Sequence, residues 1–116
     1  MDKTILNEDL QWGQLELNVV RWAGEKGILV RSAAPKQMIK VVEEVGELAR
    51  EVLKSERQIA PRRELKDAIG DVLVTIIILA NQLGLDPEEC LAIAYNEISG
   101  RTGKTVNGVF VKDEAQ

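Results

Sequence analysis

Met38, Val41, Val42, Val45, Leu48, Ala49 and Val52 recur at spacings of three and four. Such spacing puts them on one stripe of an amphipathic helix of about four turns. Glu44, Glu47 and Glu51 share the adjoining face, with Glu44 at the border of the stripe. Ser32 or a neighbour is placed to cap this helix, and Pro35 suits its first turn. A second helical pattern runs from about residue 64 to 83, with Gly84 as its stop. It opens with Glu64, Asp67 and Asp71 and then turns apolar almost all round over residues 72–80. The β-branched residues there would also suit a strand. Helix is preferred because the run continues an acidic helical segment and no nearby strand offers a pairing partner. A helix apolar on every side must be buried on every side, and in so short a chain that predicts a subunit interface.

The flanking patterns are weaker. Asn7 is placed to cap a first helix, with Glu8 and Asp9 in its first turn where the macrodipole favours acids. Leu10, Leu15, Leu17, Val20, Trp22 and Ala23 give an imperfect helical stripe that stops near Gly24 or Gly27. Trp12 and Trp22 either pack on the core or offer a ring for stacking on a planar ligand such as a base. Residues 27–34 read as a loop without a glycine-rich phosphate cradle, and residues 54–63, which include Pro61, as a polar connector. Charges in that connector are solvated, unless Arg62 or Arg63 meets a phosphate from a mobile loop. Asp86-Pro87-Glu88-Glu89 supplies a cap, a proline at the first position and an acid three residues after the cap. The fourth helix then carries Cys90, Leu91, Ile93, Ala94 and Ile98, ending at Ser99-Gly100. Residues 105–111 read as an extended tail or short strand with a turn at Asn107-Gly108. The expectation is an all-α chain, a four- to five-helix bundle with a short extended C-terminal tail. Residues 1–116 make one domain, its helical core at about 8–99 and its tail at 100–116.

Composition narrows the chemistry. Aromatic residues make up 3% of the 116, and a small helical core with few large rings is often completed by a second copy. The net charge of −4 leaves no basic stripe for nucleic acid. The absence of histidine removes His-based zinc sites and Ser-His-Asp triads. The lone Cys90 excludes an internal disulfide and suits a reducing compartment. The N-terminus lacks the charged and apolar regions of a signal peptide, and residues 72–80 are too short to span a bilayer. The expectation is therefore a soluble cytoplasmic protein with no membrane partner.

Acids on helices are usually solvated, and that reading applies to Glu43, Glu44, Glu47 and Glu51 taken alone. Three features weigh against it. Gly46 stands among them at a cost of about 1 kcal/mol relative to Ala, which makes sense where another backbone or a ligand comes close. No base follows Glu44 or Glu47 at i+4; the residues there are Leu48 and Glu51. Asp67 and Asp71 repeat the spacing on a helix that is otherwise apolar, where an unpaired acid is costly. Converging carboxylates repel unless a cation lies among them. An oxygen-only donor set suits hard ions, Mg²⁺ first and Mn²⁺ second.

With both clusters in view, the chain resembles the MazG-like all-α nucleoside triphosphate pyrophosphohydrolases, relatives of the dimeric dUTPases. Their motif is Glu-Glu-x-x-Glu on one helix and Glu-x-x-Asp on the next. Glu43-Glu44-Val45-Gly46-Glu47 matches the first half, and Gly70-Asp71-Val72-Leu73 matches the end of the second. The likeness covers roughly residues 35–98. It implies Glu44, Glu47 and Asp71 as Mg²⁺ ligands, with hydrolysis of an NTP or dNTP to NMP and pyrophosphate. Glu43 or Glu47 would orient the attacking water. Asn96 and Lys104, with Arg101 between them, match positions that meet the nucleotide in the family. One departure stands out: Ala68 occupies the place of the expected Glu, three before Asp71. Asp67 is taken as the fourth ligand instead, with Glu64 as an alternative or outer ligand. Lys40, one turn before Glu44, is its ion-pair partner or a phosphate contact. The competing readings are a non-catalytic helical interaction module, or the same fold acting on another pyrophosphate-containing metabolite. The expected assembly is a homodimer or homotetramer.

Overall fold

The computed structural model describes residues 10–57 and 61–114. Its elements are helices α1 (Trp12–Glu25), α2 (Ala34–Glu56), α3 (Arg62–Gln82) and α4 (Pro87–Ser99), followed by strands β1 (Gly103–Val106) and β2 (Val109–Lys112). A short 3₁₀ turn at Arg31–Ala33 leads into α2. The fold is all-α, as the periodicity predicts, and the extended tail forms a small antiparallel hairpin that turns at Asn107-Gly108, where the sequence marks a turn. The fold divides into a unit of residues 1–85 and a unit of residues 86–116.

In the first unit, α1 starts at Trp12, where the Gln14 side chain accepts a hydrogen bond from the Gln11 backbone N–H at 3.3 Å. The Asn7 cap and its companions Glu8 and Asp9 lie outside the described residues. Gly27 and Gly84 terminate α1 and α3 in the same way. Each takes positive φ, +71° and +72°, and the next residue's N–H reaches back to the helix: Ile28 to the Ala23 carbonyl at 2.9 Å, Leu85 to the Ala80 carbonyl at 2.8 Å. Only glycine adopts that conformation without strain.

Two expected boundaries move. Ser32 does not cap α2: it sits within the 3₁₀ turn, and the cap residue Ala33 makes no side-chain bond. Pro35 lies in the first turn, as expected. The connector between α2 and α3 shrinks to residues 57–61, because Pro61, at φ −61° and ψ 145°, is the N-cap and Arg62 and Arg63 are already helical.

So short a connector makes α2 and α3 an antiparallel hairpin. Gln37, near the start of α2, donates to the Thr75 carbonyl on the far half of α3 at 3.1 Å. Val41, Ala68, Ile77 and Ile78 are buried with Ala23 and Ala34. Gln82, 4% exposed, ties the end of α3 to the loop after α1 by donating to the Ile28 carbonyl at 3.0 Å; its Oε1 has no partner. The apolar half of α3 is not enclosed: Leu73 and Ile76 stay exposed. No single helix among the described residues is long and apolar enough to cross a membrane.

In the second unit, the Asp86 side chain accepts from the Glu88 N–H at 3.0 Å and caps α4, with Pro87 following; such a cap contributes about 1 kcal/mol. Asn107 and Gly108, at φ 51° and 81°, form the turn that lets strands twisting right-handedly pair directly. Gly103 is held between strand and ring. A Cβ there would run into the Val111 carbonyl oxygen and would stand 2.7 Å from the Phe110 ring.

Candidate functional site

The chemistry gathers between α2 and α3. Glu44, Glu47 and Glu51 follow one another on α2 at intervals of three and four, and Glu64, Asp67 and Asp71 repeat those intervals on α3. Each triplet therefore lies along a single helical stripe. In an antiparallel hairpin the order is reversed across the interface, so Asp71 comes opposite Glu44 and Glu47, while Glu64 comes opposite Glu51. A cavity of about 280 Å³ opens between the stripes, lined by Glu47, Arg50, Glu51, Lys54, Glu64, Asp67, Ala68 and Asp71.

The electrostatics agree with that register. Burial of the half-buried Glu44 carboxyl raises it above the ordinary carboxylate range, and the charges of Glu47 and Asp71 push it further. A hydrogen bond with Glu47 acts in the same direction, and Lys40 one turn earlier acts against it. Asp71 is raised first by burial, then by Asp67 and Glu47. Asp71 thus acts on Glu44 and Glu47 acts on Asp71 across the helix pair, while Asp67 acts on Asp71 along α3.

Those four carboxylates do not close into a cage. Among the described residues, no three Asp, Glu or Cys side chains converge as ion ligands. Like charges in a partly dry cleft stand apart. The donor set nonetheless fits a hard divalent cation: it is oxygen-only, it spans two helices, and its half-buried members are already destabilised as anions in a way that a cation reverses.

Several positions depart from expectation. Ala68 is buried on the cavity wall between Asp67 and Asp71, so the place where the motif would carry Glu faces the cavity as a methyl group. Asp67 lines the same wall, one residue aside. Glu43 is exposed, and neither it nor Glu44 is part of the lining; Glu44 is linked to the site through Glu47 and Asp71. Gly46 is exposed, and a Cβ added there meets nothing within 4 Å, so no close backbone among the described residues accounts for this glycine. Lys40 makes no ion pair with Glu44. The ion pairs within 4.0 Å among the described residues are Lys54 with Glu51 at 3.3 Å and Arg101 with Glu97 at 2.9 Å.

Arg50 and Lys54 are the lining residues that a reading focused on acids misses. They follow Glu47 by three and seven positions, which places them on its stripe, so the signal was present. Trp12 and Trp22 are half-exposed rather than buried in the core. Both rings border apolar cavities between α1 and α3, where Leu15, Val19 and Val74 are common neighbours. In the second unit, Asn96 is exposed on α4, Arg101 is half-buried in its ion pair with Glu97, and Lys104 is exposed on β1 opposite Val111.

Comparison with known proteins bears on the helix pair directly. Residues 34–105 match the family model described as the MazG nucleotide pyrophosphohydrolase domain. An uncharacterized 18.2 kDa protein from the rep-hol intergenic region of Haemophilus phage HP1 (strain HP1c1) is 40% identical over 78 residues, covering 67% of this chain. The chain spans 44% of that relative's length. No solved structure matches.

Proposed function

Because the chain belongs to the MazG nucleotide pyrophosphohydrolase family, we propose that it hydrolyses a nucleoside or deoxynucleoside triphosphate to the monophosphate and pyrophosphate in a Mg²⁺-dependent reaction, with Mn²⁺ as an alternative ion. One observation carries the reading. Acids from two helices flank one cavity, and burial together with mutual repulsion raises Glu44 and Asp71 in a way that a bound cation would relieve.

Glu44, Glu47, Asp67 and Asp71 would hold the metal, with Glu64 on the same wall as an alternative. When bound, the ion supplies Lewis-acid polarisation of phosphoryl oxygens and charge neutralisation. The chain's own task is to orient water and take its proton. Glu47, on the cavity wall, is better placed for this than Glu43, which does not line the cavity. The water oxygen bonds to the α-phosphorus as the bond to the bridging oxygen breaks. The electron pair leaves with pyrophosphate, and the water proton passes to the carboxylate. Asn96, Arg101 and Lys104 are assigned to the nucleotide.

A panel of canonical and damaged NTPs and dNTPs, assayed with Mg²⁺, tests this. Pyrophosphate is the expected direct product, and Lys104→Ala raises KM for the preferred substrate. Orthophosphate as the direct product would contradict the assignment, as would calorimetry showing no metal or nucleotide binding.

The protein is also proposed to act as a homodimer or homotetramer in solution. Supporting this are the exposed Ile39, Val42 and Val45 on α2 and Leu73 and Ile76 on α3, with Leu91 on α4 67% exposed. Apolar faces of that extent mark association surfaces. Light scattering is expected to give at least twice the chain mass; a monomer at micromolar concentration rules this out.

A further inference from the structure

We propose that Arg50 is the phosphate-positioning residue of the α2–α3 cavity, its guanidinium receiving oxygens of the pyrophosphate unit that leaves. The inference rests on the hydrolase reading above and adds to it a role for a basic side chain.

Arg50 lies on the cavity wall among five carboxylates, those of Glu47, Glu51, Glu64, Asp67 and Asp71. The other cation on the wall, Lys54, is committed to Glu51 at 3.3 Å, and the Glu51 side chain is only 19% exposed. Arg50 makes no ion pair within 4.0 Å among the described residues. The two basic residues therefore differ: one is paired within the protein, and the other lines the cavity without an ion pair among the described residues.

A cavity that served only to hold a divalent cation would gain nothing from a free guanidinium, because the two positive charges repel. The arrangement makes sense when the ligand brings more negative charge than a divalent ion removes, as a polyphosphate does. Arginine suits that task, since its planar fork of donors stays protonated and matches phosphate oxygens in pairs. Position along the helix fits as well. Glu47 and Asp71 line the cavity on the side away from the α2–α3 connector. Arg50 stands about one turn beyond Glu47 towards the α2–α3 connector. The cavity lining is thus graded, from the carboxylates of Glu47 and Asp71 to a mixture of charges nearer the connector, at Arg50, Glu51, Lys54 and Glu64. A polyphosphate bound through metal at the first end would extend towards the second.

The competing explanation is that Arg50 merely offsets the acids around it. Full-length Arg50→Gln and Arg50→Lys separate the two, with helicity followed by circular dichroism. Mn²⁺ binding alone is read by electron paramagnetic resonance, and inorganic pyrophosphate binding with Mg²⁺ present by calorimetry. Arg50→Gln is expected to weaken pyrophosphate binding by about tenfold or more, the scale of a lost charge-assisted contact. Arg50→Lys is expected to recover part of that loss, and Mn²⁺ alone should bind at least as tightly to both variants as to the wild type. Pyrophosphate binding to Arg50→Gln at wild-type affinity overturns the proposal and leaves the hydrolase reading standing. A wild-type protein that binds neither Mn²⁺ nor pyrophosphate overturns both.

Discussion

Glu47→Gln and Asp71→Asn are each expected to lower Mg²⁺-dependent pyrophosphate release by about a thousandfold or more, the scale on which an electrostatic contribution to a phosphoryl-transfer transition state is lost. Both changes are near-isosteric and remove one negative charge from a cavity where carboxylates repel. The helices should therefore remain intact, with unchanged far-ultraviolet circular dichroism. Glu47 lines the cavity and is exposed; Asp71 is half-buried and pressed by Asp67 and Glu47. Retention of full activity in both variants would remove the carboxylate site from consideration, whatever the family relationship.

Glu44→Gln should move stability and activity in opposite directions. In the metal-free protein, the ionised Glu44 carboxylate suffers from burial and from the charges of Glu47 and Asp71. The neutral amide escapes that penalty, so the metal-free variant should melt higher than the wild type while losing most of its activity and most of its thermal stabilisation by Mg²⁺. The sign of the pH dependence follows from the same cause. Glu44 and Asp71 hold protons more readily in the folded chain than in the unfolded one. Between the unfolded and the raised folded pKa values the folded state binds more protons, so stability grows as pH falls through that window and is lower once both groups ionise. Thermal melts of metal-free wild type should rise from neutral to mildly acidic pH, with a shallower rise in Glu44→Gln. A variant that melts lower than the wild type at neutral pH without metal would show that the Glu44 charge stabilises the fold.

Much of this could be read from residue order because the signals are local. The stripe from Met38 to Val52 sets one face of α2, Asp86-Pro87 marks the start of α4, and Asn107-Gly108 suits a turn that needs positive φ twice. What escaped depends on neighbours. Periodicity assigns a face to each helix but not its depth, so Trp12 and Trp22, apolar by type, turn out to be half-exposed. A proline suits a loop interior as well as the position just outside a helix, so composition alone makes the connector longer than the structure does, where Pro61 is the N-cap of α3. Gly46 has no close neighbour among the described residues that accounts for it. Metal-ligand chemistry points to acids alone, whereas Glu47, Arg50, Glu51 and Lys54 share one stripe of α2 and all line the cavity. Ala68 was legible as a departure from the motif. Only the fold shows that its methyl group faces the cavity.

The short connector at residues 57–61 has a kinetic side. The two walls of the cavity come from helices adjacent in sequence, so most contacts that define it are local. Local contacts form early when a chain folds. If the hairpin forms early, the acid stripes meet before the remaining elements contribute, and their repulsion opposes that step. Divalent ions and salt, by screening the stripes, would accelerate folding as well as stabilise its product.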